Sequence, residues 1–290
     1  MNAPATLLKT PQAGDRSIGA ILVDSGKLTL EQAEQIMRLQ KQQHIRFGEA
    51  AKLLGIVSED DIQFALAHQY GYAYLRRGEG KVDEKLVAAY EPYCKQVEAL
   101  RALRSQLMLR WFTGDEGNKM LAIASPNRGD GRSWLAANLA IVFSQLGERT
   151  LLIDADLRHG CQHSLFNLNN QNGLSTVLSG RSSTASVQRV ASFADLSVFT
   201  AGPVPPNPQE LLGRDMLGRV LEEFAKAFDV ILIDTPAGGA YADVTTIAAR
   251  SGGALLLAHK HQTILAALQK LAFDIQSSSA SVAGSVLADF

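Results

Sequence analysis

The strongest constraint in this chain is a three-part run. An uninterrupted apolar segment, Met120–Ala124, leads into Ser125-Pro126-Asn127-Arg128-Gly129-Asp130-Gly131-Arg132-Ser133, and an apolar stretch from Trp134 to Phe143 follows. Strand, glycine-rich loop and helix in that order form a phosphate-binding loop. Gly129 and Gly131 let the backbone approach phosphate oxygens closely. Successive N–H groups then point into an anion cradle at the helix N-terminus. The candidate nucleotide-binding residues are Gly129, Asp130, Gly131, Arg132, Ser133 and Trp134, with the Ser133 hydroxyl placed for Mg²⁺. Arg132 stands where lysine is usual, a planar fork in place of a point charge. An indole such as that of Trp134 more often reports packing than base stacking. The competing reading is a plain strand-to-helix turn.

Two more strands decide against that turn. Residues 149–158, Arg-Thr-Leu-Leu-Ile-Asp-Ala-Asp-Leu-Arg, end a strand in Asp154 and Asp156, and the apolar run after Asp229 ends in Asp234. Ligands of open parallel sheets sit beyond the strand C-termini, so the three acids should converge on the loop. Phosphoryl transfer needs such carboxylates to hold Mg²⁺ and orient the attacking group. The candidate catalytic residues are Arg132, Asp154, Asp156 and Asp234, and the candidate metal ligands are Ser133, Asp154 and Asp234. The fold class is α/β: a mostly parallel central sheet flanked by helices, preceded by a small, mainly helical duplicated module.

Composition narrows the rest. A net charge of −1 over 290 residues lacks the basic excess of a nucleic-acid binder. Cys94 and Cys161 have no paired spacing, which fits a reducing cytoplasm. No apolar run is long enough for a direct membrane span, and residues 1–15 read as a flexible tail without a signal peptide. His159, Cys161 and His163 alternate without a usual metal-ligand spacing. His259 and His261 follow a strand and should line a loop near the nucleotide. Tyr70, Tyr72 and Tyr74 alternate as in a short strand or a packing edge.

Residues 16–75 contain a repeat. Gly19, Gly26 and Gln40 recur as Gly48, Gly55 and Gln69, each 29 positions later. Ile18 matches Phe47, Ile36 matches Ala65 and Met37 matches Leu66. Each copy reads as a short helix, a glycine turn and a second helix, over 29–40 and 58–69. A charged, glycine-containing stretch begins at Arg76, and 76–95 reads as a linker to a second domain over 96–290. Two copies of Gly-x₆-Gly with a closing Gln resemble the MshE-type N-terminal domain of type II secretion and type IV pilus ATPases. That resemblance implies cyclic di-GMP as a regulatory ligand, held by Gly19, Gly26 and Gln40 in one copy and Arg46, Gly48, Gly55 and Gln69 in the other. The first copy departs from the pattern, since Arg16 is displaced by one residue.

The second domain resembles the bacterial tyrosine kinases of exopolysaccharide chain-length control, of EpsG type, with a MinD/ParA-like P-loop fold. Three features carry the likeness: the Asp154-x-Asp156-x-Arg158 strand end, the segment 201–212 with its Gly-Pro and Asn-Pro-Gln-Glu-Leu-Leu, and Glu98-x-x-Arg101-x-x-Arg104. The resemblance implies ATP and Mg²⁺ at residues 129–133, Asp154 as metal partner and base, Asp156 as its outer support and Asp234 as the second metal-side acid. It also implies a tyrosine acceptor and a ring-shaped homo-oligomer docked through Glu98, Arg101 and Arg104. A membrane polysaccharide copolymerase, the chain-length determinant protein, would hold the kinase at the inner membrane. The family's tyrosine-rich tail is missing from 286–290. Two readings compete: a catalytically weak, nucleotide-switched scaffold of the export complex, and a ParA/MinD-type positioning ATPase.

Overall fold

A computed structural model describes residues 17–70, 72–78, 80–114 and 118–289. The tail expected over 1–15 lies outside the described residues, as does Arg16. The chain divides into two compact units, one up to Tyr74 and one from Leu75 onward.

The first unit is four helices: α1 Ile18–Asp24, α2 Leu30–Gln43, α3 Phe47–Leu53 and α4 Glu59–Gln69. The repeat is visible in its start signals. The Thr29 hydroxyl accepts from Gln32 N while the Gln32 side chain accepts from Thr29 N. Ser58 and Asp61, 29 positions on, form the same reciprocal cap on α4. Gly26 and Gly55 take left-handed φ values of 71° and 63°, as helix-ending turns require. The core is built from equivalent positions of the two copies. Leu22 and Ala51, Leu28 and Val57, Ala33 and Ile62, and Ile36 and Ala65 are all buried. In three of these pairs a large residue faces the duty of a small one, so two similar helical pairs fill one interior without overpacking. The helices interlock across copies, α1 on α4 and α2 on α3. No strand forms around Tyr70, Tyr72 and Tyr74 in the described residues; the Tyr74 ring packs edge-on to Phe64 at 5.6 Å.

The second unit is a seven-stranded sheet with helices around it. Its strands are β1 Met120–Ala124, β2 Thr150–Asp154, β3 Gln188–Arg189, β4 Leu196–Phe199, β5 Val230–Asp234, β6 Gly253–His259 and β7 Ser281–Ala288. Their spatial order is β3-β4-β2-β5-β1-β6-β7. Every pairing is parallel except β3 with β4. Strands covered on both faces must be apolar throughout, and every residue of β2 and β5 is buried. The helices are α5 Val87–Tyr90, α6 Lys95–Arg110, α7 Arg132–Ser144, α8 Gln162–Leu165, α9 Leu174–Leu178, α10 Pro208–Leu212, α11 Asp215–Ala227, α12 Asp243–Ser251 and α13 Leu265–Ser277. Because β5 lies between β1 and β2, the C-terminal ends of these three strands are neighbours. That places the loop after β1 beside both acid-bearing strand ends.

The stretch expected as a linker, 76–95, is folded onto this unit. Val82, Leu86, Ala88, Ala89 and Tyr90 are buried. Ala88 N donates to Asn138 Oδ1 at 2.9 Å, and the Asn138 amide donates in turn to Trp134 O. Asp83 N donates to Leu165 O and Leu75 N to Ala89 O. The charged run that opens the stretch conceals an apolar strip of Leu86, Ala88, Ala89 and Tyr90 that lies along α7, where Gln145 Nε2 also donates to Ala88 O.

Candidate nucleotide site

The phosphate loop joins β1 to α7. Gly129 and Gly131 have φ values of 89° and 100°, a region where a Cβ is strained. Gly131 caps α7, so the helix N–H groups open toward the crevice. Asp130 is buried and braces the loop. Its Oδ2 accepts from Asn127 N at 2.8 Å and its Oδ1 from the Thr263 hydroxyl at 3.0 Å.

Arg132 is held against the protein at the edge of the crevice. It is buried, and it donates through Nε to Thr235 O at 2.9 Å and through Nη1 to Ser125 Oγ at 2.5 Å and Asn127 O at 2.6 Å. A planar fork suits this threefold bracing, which an ammonium on a flexible stem would not reproduce. Trp134 is turned aside as well. Its indole donates to Lys85 O at 2.8 Å, and it faces a separate apolar hollow against Leu100, Leu103 and Leu257.

Asp154 and Asp234 are partners in register on adjacent strands, and both are fully buried. Asp154 accepts from Asp156 N at 3.3 Å and Gln162 N at 2.9 Å. Asp234 Oδ2 accepts from Gln162 Nε2 at 2.8 Å, whereas Asp234 Oδ1 is buried without a partner. Burial, with the neighbouring Asp234 charge behind it, holds the Asp154 carboxyl well above the usual carboxylate range. Burial likewise pushes Asp234 up to about 6, against the hydrogen bonds of Gln162 and Ser133 and the charge of Arg132. Asp156 closes the turn after β2, its Oδ1 accepting from Arg158 N and His159 N. Burial also drives the Cys161 thiol up to about 12, far from a reactive thiolate.

A cavity of about 440 Å³ lies beside the loop, lined by Asn127, Arg128, Arg132, Asp156, His159 and Tyr241 among others; Ser133, Asp154 and Asp234 do not line it. The donors present fit a hard cation. Two buried acids, one with an unpartnered oxygen, stand beside the Ser133 hydroxyl, and all are oxygen ligands. Among the described residues no cluster of three His, Cys, Asp or Glu could cage a metal alone. Mg²⁺ shared with phosphate oxygens asks for no such cage.

Sequence reasoning missed Gln162. It lies between His159 and His163, in a stretch read only for metal spacing. One residue donates to both acids and also to Ser133 O at 3.1 Å. Asp243 was missed too. It is buried and ion-paired with Arg158 at 3.1 Å, while the Arg158 guanidinium lies 4.2 Å over the Tyr241 ring. Burial raises the Asp243 carboxyl and Arg158 opposes that rise. No spacing rule links positions so far apart in sequence.

No protein-family model matches the chain. Tyrosine-protein kinase YwqD of Bacillus subtilis is 35% identical over 190 residues, covering 65% of this chain and 79% of that protein. The chain belongs to the bacterial tyrosine-protein kinases. The kinase domain of Escherichia coli tyrosine kinase ETK superposes with a TM-score of 0.68 at 31% identity, over 76% of this chain and 85% of that domain. The Pyrococcus furiosus cell division ATPase MinD shares the fold alone, with a TM-score of 0.52 at 24% identity over 59% of this chain and 71% of its own. Other curated kinase relatives are far longer, and the chain spans only 23–28% of their length.

The remaining expected residues fall in two places. Glu98, Arg101 and Arg104 lie on α6, where Arg101 pairs with Glu98 and Arg104 Nη1 donates to Val142 O at 2.7 Å. In the first unit, Gly19, Gln40, Phe47 and Gln69 line a cavity of about 570 Å³. Gly19 sits under the Phe47 ring, where a Cβ would come within 3.1 Å of it. Gly48 packs on Ile62, and the Arg46 side chain is exposed. Arg46, Gly26, Gly48 and Gly55 do not line that cavity.

Proposed function

We propose that this protein is an ATP- and Mg²⁺-dependent tyrosine kinase of exopolysaccharide chain-length control. The observation that carries the reading is the buried Asp154–Asp234 pair, tied together by Gln162 beside the phosphate loop. Ser133, Asp154 and Asp234 would hold Mg²⁺, which would offset charge on the phosphates. The helix α7 N–H groups take the phosphate chain. Asp154, ionised once it shares the cation, accepts the proton of the tyrosine hydroxyl as that oxygen attacks the terminal phosphorus and ADP leaves. Asp156 fixes the turn that aims Asp154.

The partner in this reading is a membrane polysaccharide copolymerase, which places the kinase at the inner membrane face. The α6 face carrying Glu98 and Arg101 docks on the next subunit of a ring. The cavity at Gly19, Gln40 and Gln69 takes cyclic di-GMP as a regulatory ligand, supported by the repeat and by the two glutamines on one cavity. Calorimetric titration of the full chain with cyclic di-GMP should saturate, and Gln40→Ala with Gln69→Ala should abolish the heat. A flat titration of the folded protein removes this regulator.

One observation favours a second reading. The Arg132 fork is occupied by Asn127 O of the loop and Thr235 O just past β5, which suits a nucleotide-switched scaffold with little turnover. Incubation with γ-labelled ATP·Mg²⁺ separates the two. Label on tyrosine, lost in Asp154→Asn, supports the kinase. Saturable ATP binding with neither labelled tyrosine nor hydrolysis supports the scaffold.

A further inference from the structure

The occupied fork of Arg132 leaves a question of charge. Three carboxylates, Asp154, Asp156 and Asp234, surround the site, and a nucleoside triphosphate adds more negative charge. Arg132 spends Nε and Nη1 on Thr235 O, Ser125 Oγ and Asn127 O. Its position under the loop is that of a brace. A second arginine lies on the same loop. Arg128 is exposed, lines the 440 Å³ cavity together with Arg132 and Asp156, and makes no hydrogen bond or ion pair among the described residues. Gly129, at φ 89°, turns the chain directly after it.

We propose that Arg128 is the residue that reads the terminal phosphate, while Arg132 holds the loop in shape. This deepens the kinase reading and rests on the same nucleotide site. The two roles divide what one P-loop lysine does elsewhere, because one side chain cannot both brace the carbonyls and follow the phosphate. Arg128 shares its cavity with Asp156, the acid of the turn after β2, and with Arg132 of the phosphate loop. An unpaired guanidinium can close on a phosphate bidentately without first breaking a protein contact. The terminal phosphate distinguishes ATP from ADP, so Arg128 should set the preference between them.

The test compares Arg128→Ala and Arg128→Lys with the unaltered protein, full length, using fluorescent ATP and ADP analogues with Mg²⁺ and, separately, γ-labelled ATP. Arg128 is exposed, so neither variant should disturb folding, and thermal melting checks this. The expected result is a loss of ATP affinity of about tenfold or more in Arg128→Ala, with ADP affinity changed less than about threefold. Arg128→Lys should recover part of the loss. Equal loss for both nucleotides, or no loss, overturns the proposal. Binding without turnover by the unaltered protein would sink the kinase reading while the ATP/ADP ratio still decides Arg128. Turnover with an unchanged ratio would sink Arg128 and leave the kinase standing. A protein that binds neither nucleotide overturns both.

Discussion

Asp154 and Asp234 face each other across β2 and β5 with no solvent exposure, and the single side chain of Gln162 reaches Asp234 while its backbone N–H reaches Asp154. Two carboxylates this close and this dry oppose folding unless protonated, hydrogen-bonded or shared with a cation. The site therefore stores a requirement that Mg²⁺ and nucleotide would meet.

That requirement has a pH signature. The folded Asp234 carboxyl titrates at about 6, above its ordinary value of 3.8. The folded state thus binds this proton more tightly than the unfolded chain does. Its contribution to stability is fully present below the unfolded value and is lost as pH rises through the folded one. In metal-free buffer, urea denaturation should show stability falling between about pH 4 and pH 7 from this group. Asp234→Asn should flatten that fall. An unchanged slope in the variant would assign it elsewhere.

Gln162→Leu should lower the apparent Mg²⁺ affinity of nucleotide binding by about 10- to 100-fold, the usual loss when an orienting partner of metal ligands is removed. Some loss of melting temperature is expected too, because the buried Asp234 loses its Gln162 donor while its other oxygen is already unpartnered, although the core stays filled. Mg²⁺ titration of nucleotide binding checks this. A large drop in melting with unchanged Mg²⁺ affinity would make Gln162 purely structural.

Arg101 and Arg104 share a helix face but should separate on substitution. Arg104 donates to Val142 O inside the unit, so Arg104→Ala should cost about 1 to 2 kcal/mol of stability by denaturant unfolding. Arg101 pairs with the exposed Glu98, so Arg101→Ala should cost less than about 1 kcal/mol. If α6 docks a neighbouring subunit, sedimentation should show Arg101→Ala losing the oligomer while remaining folded.

Gly160→Ala should be poorly tolerated. A Cβ there would lie 2.6 Å from Ala201 Cβ and 2.9 Å from Asp154 Oδ2. We expect a loss of about 1 to 3 kcal/mol by overpacking, together with reduced turnover from a displaced Asp154. A variant as stable and active as the parent would show that the turn after Asp156 yields freely.

Much of this protein was written in local pattern. The phosphate loop was legible because a strand, two glycines and a helix occupy consecutive residues, and φ at Gly129 and Gly131 depends on little else. The acids at Asp154 and Asp234 were legible because each ends an apolar strand, and parallel sheets align such ends. The duplication was legible as a 29-residue offset, and the same offset sets the helix caps and the buried positions of the first unit. What local pattern could not carry was the choice of partner for each polar side chain. Whether Arg132 meets phosphate or its own loop depends on Thr235 O, over a hundred residues away in sequence. Gln162 bridges the acids only because α8 begins under the ends of β2 and β5. The stretch over 76–95 read as a linker because its charges come first, and its burial depends on Asn138 and Trp134 of α7. Periodicity reports which face of an element is apolar. Only the packed sheet decides which distant donor and acceptor meet, since that follows from strand order and crossover rather than from neighbouring residues.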